Sequence, residues 1–402
     1  MAALGNTADG VRLAAGPLLV ASQTGDPALV GLAVFVQQVP WLLFSLPVGA
    51  YVDRLDRRRL MVGVSLVRAL LASLLAAAVA TGSASIALLY AVLFVIGAAE
   101  VVADNTSSAL VPSVVDPPDL ARANARLASA FLIGNQLAGP PLGAWLFVAG
   151  AALPFVVEAA GFVVCVPLLL GLRWTSSPPA GGQARPAGWL RRDMREGVHW
   201  LWQARPVRLL AVLLTVMNVT FMAAFAVWVL YARQRLGLTG RGFGLLLTAS
   251  ALGGLVGTAI TGRLTDRYGP AALLRAGLIT ETAVHLVLAL THSPCVAGAA
   301  VAVFGAHAAL WGVVAATLRQ QLVPDHLRGR VASVYFFLTM SGAALGALTG
   351  GLLAKNLGLA APFWIAAAAN TLLITVVWRH LTAATFPRTR SSSAETTDPR
   401  LG

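Results

Sequence analysis

Apolar residues run along this chain in blocks of about 20, broken by short polar segments, from the first residues to near position 382. Blocks of that length match the hydrocarbon core of a bilayer, not the stripe of a soluble amphipathic helix. The pattern predicts helices over 3–22, 28–52, 60–80, 85–108, 126–149, 152–172, 207–232, 243–262, 273–291, 295–318, 331–354 and 360–381. The expected fold class is an all-α membrane protein of twelve transmembrane helices, numbered here as spans 1 to 12. Short loops and one longer connection join them.

The polar breaks repeat. Gly49-Ala-Tyr-Val-Asp53-Arg54-Leu-Asp56-Arg57-Arg58 returns in outline as Gly262-Arg-Leu-Thr-Asp266-Arg267-Tyr-Gly269, an offset of 262 − 49 = 213 residues. Leu110-Val-Pro112 matches Leu322-Val-Pro324, Arg122 matches Arg330, Gly139-x-x-x-Gly143 matches Gly346-x-x-x-Gly350, and Asn6 matches Asn218. Several correspondences in one order indicate a duplicated six-span unit. Duplicated membrane halves around a shared site are the architecture of secondary transporters, which points to moving a solute rather than transforming one. The expected organisation is a bundle over 1–172, a cytoplasmic linker over 173–206, a second bundle over 207–382 and a disordered tail over 383–402. Within the linker, Thr175 to Pro186 is rich in Pro, Gly and Ser and reads as flexible. Trp189 to Trp202 is amphipathic, and its tryptophans and arginines suit a helix lying at the inner membrane surface. An ordinary soluble connector helix is the alternative.

Composition agrees with lipid as the solvent. The chain of 402 residues is 57% hydrophobic and 11% charged, where a soluble domain carries about 25% charged residues. Its net charge of +13 gathers in the even-numbered loops, at Arg54, Arg57, Arg58, Arg59, Arg191, Arg192, Arg195, Arg319, Arg328 and Arg330. The opposite loops hold Arg233, Arg235, Arg241 and Lys355. That bias places both termini in the cytoplasm of a cell-membrane protein and removes nucleic acid as the explanation of the charge. No basic segment precedes the first apolar run, so a cleaved signal peptide is not expected. Cys165 and Cys295 read as small packing residues. Lys355 is the only lysine and lies in no Gly-rich phosphate loop; no His-Glu-x-x-His or Gly-x-Ser-x-Gly pattern occurs. Neither enzyme chemistry nor a metal or other cofactor is expected. An ion gradient or the solute's own gradient must drive transport.

Gly49, Asp53, Arg54, Arg57, Arg58 and Leu60 resemble the signature between spans 2 and 3 of the major facilitator superfamily. Asp56 stands where a glycine is usual. The second copy keeps Gly262, Leu264, Asp266, Arg267 and Gly269. Gly139-Pro140-x-x-Gly143 resembles the span 5 signature of the superfamily's antiporters. Asp9-Gly10, Pro40-Trp41, Glu100, Asp104-Asn105, Pro112, Arg319-Gln320, Pro324, Gly329-Arg330 and Ser333 are similar to the branch containing enterobactin-exporter-like permeases. The resemblance covers nearly the whole chain, and it implies two pseudo-symmetric six-helix bundles with spans 1, 4, 7 and 10 lining a central cavity. It also implies that Gly49, Asp53, Arg54, Arg57, Arg58, Asp266, Arg267 and Arg330 form a cytoplasmic gate. An aspartate such as Asp53 could sit at the positive N-terminus of span 11. Orientation alone would also explain the arginines. Span 4 lacks the arginine of many drug–proton antiporters, so their relay does not transfer.

An ionisable side chain at the centre of a bilayer helix costs about 2.5–3.5 kcal/mol on insertion scales, so each needs a reason. Asp9 and Arg12 share a face of span 1, and Glu100 and Asp104 a face of span 4. Asp9 and Glu100 lie at similar depth, roughly 10 Å from the cytoplasmic ends of their helices, and Arg12 could bridge to either. These four residues are the candidate proton-coupling group; a static ion pair is the alternative. Asn6, Asn218, His307 and Trp311 are candidates to touch substrate, with a satisfied packing histidine as the other reading of His307. Glu158, Arg68 and the pair Glu281–His285 fall on spans expected to be peripheral, where local packing is the simpler account. The reading is a proton-coupled exporter of small amphipathic molecules such as drugs, a siderophore or another metabolite. Its partners would be the solute, protons and the lipid bilayer, and it would act as a monomer. Import or facilitated diffusion, and a non-transporting receptor or scaffold, are the alternatives.

Overall fold

The computed structural model describes residues 1–52, 55–115, 119–171, 189–324 and 327–386. Every regular element among them is helical. The N-terminal half holds α1 (Ala2–Gln23), α2 (Pro27–Val52), α3 (Arg57–Ala80) and α4 (Ile86–Val114). One long rod follows, made of α5 (Leu120–Ala130), a π-helical stretch (Phe131–Ala138) and α6 (Gly139–Ala149), and then α7 (Leu153–Leu170). After α8 (Trp189–Gln203), α9 (Arg205–Ala226) continues through α10 (Trp228–Leu230) and a π turn (Tyr231–Arg235). The rest is α11 (Gly240–Tyr268), α12 (Pro270–Leu290), α13 (Pro294–Leu322), α14 (Arg328–Leu357) and α15 (Ala361–Val377).

Ten of these helices, α2, α3, α4, α7, α9 and α11 to α15, are long and apolar enough to cross a membrane. The predicted spans 1 and 5 are outside that set for physical reasons. α1 gives up apolar positions to Asn6, Asp9 and Arg12, and the rod is interrupted. Pro140 and Pro141 supply no N–H to the carbonyls one turn back, and the Gly139 N–H bonds the Gly134 carbonyl, five residues back.

Side-chain caps set where two of these helices start. α3 begins at Arg57, three residues before the predicted span, because the Asp56 side chain accepts from the Arg59 N–H at 3.0 Å. Ser85 caps α4 by accepting from the Leu88 N–H at 3.2 Å. Hydropathy marks where a helix enters lipid, and the cap marks where it starts.

Glycines let the main chains approach. A Cβ on Gly143 would sit 2.3 Å from the Val11 carbonyl oxygen, and one on Gly139 would sit 2.5 Å from the Gly10 Cα. α1 and α6 therefore meet backbone to backbone. The C-terminal half repeats the device: a Cβ on Gly346 would sit 2.3 Å from the Val219 carbonyl oxygen, locking α14 to α9. Between the halves, Gly31 of α2 faces Gly351 of α14 in the same close manner, and Gly244 of α11 lies under the Trp145 ring of α6. At the end away from the start of α1, Lys355 Nζ meets Asp26 Oδ2 at 2.8 Å and Arg233 donates to the Ala21 carbonyl at 2.6 Å. Outward-facing leucines and valines such as Leu70, Leu74, Leu252 and Leu372 are more than half exposed, the surface expected where lipid is the solvent.

Candidate functional site

The α1–α6 seam fixes which way α1 turns its two charges. Asp9 and Arg12 point into the N-terminal half, where α3, α4 and α7 each bring one ionisable residue and α2 brings Gln37. Arg12 is the hub. It donates to Glu100, to Gln37 Oε1 at 3.0 Å, and lies 3.5 Å from Asp9 Oδ1. Its Nε is 3.1 Å from Glu158 Oε1, near enough for an ion pair but not aligned as a hydrogen bond. Arg68 donates to Asp9 and stacks its guanidinium 3.9 Å over the Phe162 ring. None of Asp9, Arg12, Arg68, Glu100 and Glu158 is more than 6% exposed.

Three carboxylates thus face two guanidiniums in a buried site. With all five ionised the cluster carries one uncompensated negative charge, and one bound proton would bring it to zero. Arginine cannot supply that proton, because its guanidinium stays charged in proteins. Burying unpaired charge is expensive. The cluster therefore holds one acid more than its cations can balance. A cavity of about 380 Å³ adjoins it, lined among others by Asn6, Asp9, Ser65, Arg68, Asp104 and Asn124. Its other walls, including Met1, Met61 and Leu169, lie toward the end where α1 begins.

Asp9, Arg12 and Glu100 are thus brought together, and Asp104 stands on the wall of the adjoining cavity. Two expectations need correcting. The implied central cavity lined by spans 1, 4, 7 and 10 would place Asp9, Arg12 and Glu100 between the halves, whereas their ion pairs lie inside the N-terminal half. Arg68 and Glu158 were assigned to peripheral packing, and both touch the cluster directly. The missed signal was the insertion cost already applied to Asp9: Arg68 and Glu158 carry the same cost and the complementary charges. Gln37 gave no comparable signal.

The other candidates are dispersed. Asn6 and Asn218 each donate to the carbonyl four residues back, at 2.8 and 2.9 Å. His307 and Trp311 pack inside the C-terminal half against Gly277, and His307 Nε2 lies 3.0 Å from Glu281 Oε2. A second cavity, of about 100 Å³, is walled by Phe221, Phe225, Trp228, Phe304 and Phe363. Of the loop residues, Asp53 and Arg54 lie outside the described residues. Gly49 falls in the last turn of α2, and Arg57 opens α3. Arg58 donates to the Leu170 carbonyl, and Arg267, beside Asp266, lies 5.4 Å over the Tyr268 ring. Arg330 binds Glu196 of α8 at 2.7 Å, so the surface helix is tied to the start of α14. Gly139, Pro140 and Gly143 form the α1 seam and the π stretch described above.

Apolar helices, glycine seams and buried ion pairs suit a membrane transporter, and the family match places the chain in the major facilitator class and not among enzymes. A family model described as "Transmembrane secretion effector" matches residues 1–400, and the chain belongs to that family. It is 27% identical over 386 residues to the multidrug efflux pump Tap of Mycolicibacterium fortuitum, covering 92% of this chain and 91% of that one. It is 26% identical over 307 residues to the class C tetracycline resistance protein of Escherichia coli, covering 73% of each. The crystal structure of a D-xylose–proton symporter superposes with a TM-score of 0.71 at 16% identity, covering 97% of each chain. The efflux-pump relatives and the apolar helices make this a multi-pass membrane transporter of the efflux type.

Proposed function

We propose that this chain is a proton-coupled exporter of small amphipathic molecules in the cell membrane. It works as a monomer of twelve spans in two six-helix bundles, 1–172 and 207–382, with both termini cytoplasmic. The observation that carries the reading is the three-to-two imbalance of carboxylates over guanidiniums around Arg12. When the site is dry, the cluster keeps a proton on Asp9, Glu100 or Glu158; when water or a competing cationic solute reaches it, the proton leaves. The relatives named for multidrug efflux and tetracycline resistance support outward transport of partly apolar solutes. The seal between the halves at Asp26–Lys355 supports alternating access, since that contact must break for the far side to open. Residues Gly49, Asp53, Arg54, Arg57, Arg58, Asp266, Arg267 and Arg330 are proposed to gate the cytoplasmic side.

Everted vesicles from cells making the full chain test this, with tetracycline as the probe. The expected result is accumulation inside acid-loaded vesicles, abolished by an uncoupler and lost in Asp9→Asn and Glu100→Gln. Equilibration without gradient dependence would favour facilitated diffusion, which the symporter-like fold also accommodates. Unchanged gradient-driven uptake in both variants would remove the cluster from coupling.

A further inference from the structure

The C-terminal half contains a second buried acid, and its surroundings differ from those of the Arg12 cluster. Glu281 of α12 is 2% exposed, and its sole ion-pair partner among the described residues is His307 of α13, itself 7% exposed. Glu281 Oε2 and His307 Nε2 are 3.0 Å apart, while Glu281 Oε1 has no hydrogen-bond donor. One turn further along α12, His285 Nδ1 is spent on the Glu281 backbone carbonyl at 2.8 Å. Phe304 stands edge-on to both imidazoles, 6.3 Å from His285 and 6.1 Å from His307. Gly277 makes the approach possible, because a Cβ there would lie 2.4 Å from Trp311 Cδ1 and 2.9 Å from His307 Cε1.

Three helices and the π turn Tyr231–Arg235 pack on α12; the π turn reaches only its far end, where the Tyr231 hydroxyl donates to the Leu288 carbonyl and Arg235 to the Ala289 carbonyl, about two turns beyond Glu281. α15 contains no titratable residue, and α11 carries its charges only near its ends. α13 contributes His307. On α12 itself Arg275 is engaged elsewhere, donating to the Trp378 carbonyl and stacking on its ring at 4.7 Å. Among the described residues, the titratable groups that meet the Glu281 side chain or its own turn are therefore His307 and His285.

The charge balance of this pair depends on one mobile proton. With one proton the pair is neutral overall, whether it sits on Oε2 or on Nε2. Without it, a bare carboxylate stays in a dry site; with a second, a bare imidazolium does. Both states carry the cost of an unpaired buried charge. A guanidinium would have fixed the site as a permanent ion pair, and among the described residues none is paired with Glu281.

We propose that Glu281 and His307 form a proton-binding site in the C-terminal half, holding one proton per chain and exchanging it with water when the half opens. The proton moves between Glu281 Oε2 and His307 Nε2 and departs to solvent, with no other bond made or broken. The site stands independently of the exporter reading, because it is defined without solute or gradient.

The test is infrared difference spectroscopy of the full-length protein in lipid nanodiscs as pH is stepped between about 8 and about 5, the range over which imidazole changes charge. Proton uptake is counted in parallel with a pH dye. The expected wild-type spectrum has a carboxylic-acid C=O band that disappears in Glu281→Gln and shifts in frequency in His307→Gln, while His285→Gln leaves it in place. Proton uptake should fall by one per chain in Glu281→Gln. Tryptophan fluorescence melting checks folding, and His307→Gln keeps a hydrogen-bonding group for Glu281 should Glu281→Gln not fold. A band pattern and proton count identical in wild type, Glu281→Gln and His307→Gln would overturn the proposal, as would a wild type with neither a carboxylic-acid nor an imidazolium band that Glu281→Gln removes. A transport assay that fails to show gradient dependence would leave this result untouched.

Discussion

The two halves share a backbone plan and differ in what they bury. Gly143 against Val11 and Gly346 against Val219 build the same close helix seam in each. Arg68 and Glu281 stand at equivalent places in the repeat, since 281 − 68 = 213, the offset of the loop motif. In the N-terminal half that place holds a guanidinium bracing Asp9; in the C-terminal half it holds the acid itself, facing an imidazole. The lesson is that the helix contacts tolerate little change while the polar content inside each half has diverged. One half carries a fixed-cation cluster, the other a pair whose every charge is exchangeable.

The largest expected effect comes from removing the hub of the first site. Arg12→Met leaves three acids against one guanidinium and should destabilise the protein by about 3–5 kcal/mol, read as lost yield and a lowered melting midpoint in detergent. Glu281→Gln should cost far less, because a neutral amide can still face the imidazole. Equal losses for the two variants would contradict the contrast drawn between the halves.

Next come the seams. Gly143→Ala and Gly346→Ala each push a methyl group against a carbonyl oxygen and should each cost about 1–3 kcal/mol. Gly63→Ala in α3, with open space around it, should be neutral or stabilising by up to about 1 kcal/mol. Melting curves of the three variants decide it. A tolerated change in one half alone would show that the shared backbone plan is not shared in energy.

The smallest effect belongs to the contact across the halves. The Lys355 ammonium bonded to Asp26, helped by the Ala28 N–H, holds the Asp26 carboxyl below its ordinary value of 3.8. A lowered carboxylate value stabilises the closed contact above about pH 4 and loses that contribution as pH falls through the bound value. Both side chains are partly exposed, so the contribution is below about 1 kcal/mol. Lys355→Met should raise thiol labelling of a cysteine placed at the buried Ala21, in a chain whose exposed Cys295 is replaced by Ser, at pH 7, by about fivefold at most. High salt should mimic the substitution.

Much of the fold was legible from periodicity, because bilayer thickness dictates apolar block length, and the repeat was legible because loop chemistry survives where apolar positions drift. The pairing of Asp9, Arg12 and Glu100 followed from shared depth and shared faces. Arg68 and Glu158 were misplaced because helix adjacency cannot be read from one chain; only packing shows that α3 and α7 turn inward at that depth. The π stretch before Pro140 was written in the two consecutive prolines and went unread. His307 meets Glu281 because Gly277 admits its ring, a contact no spacing rule on either helix encodes.

The most direct test of the central claim is proton release from purified, weakly buffered full-length protein in nanodiscs when tetracycline is added. The account predicts release from the wild type, and loss of that release in Glu100→Gln and in Glu158→Gln with binding of the probe retained. Release of the same size from wild type and both variants would contradict it.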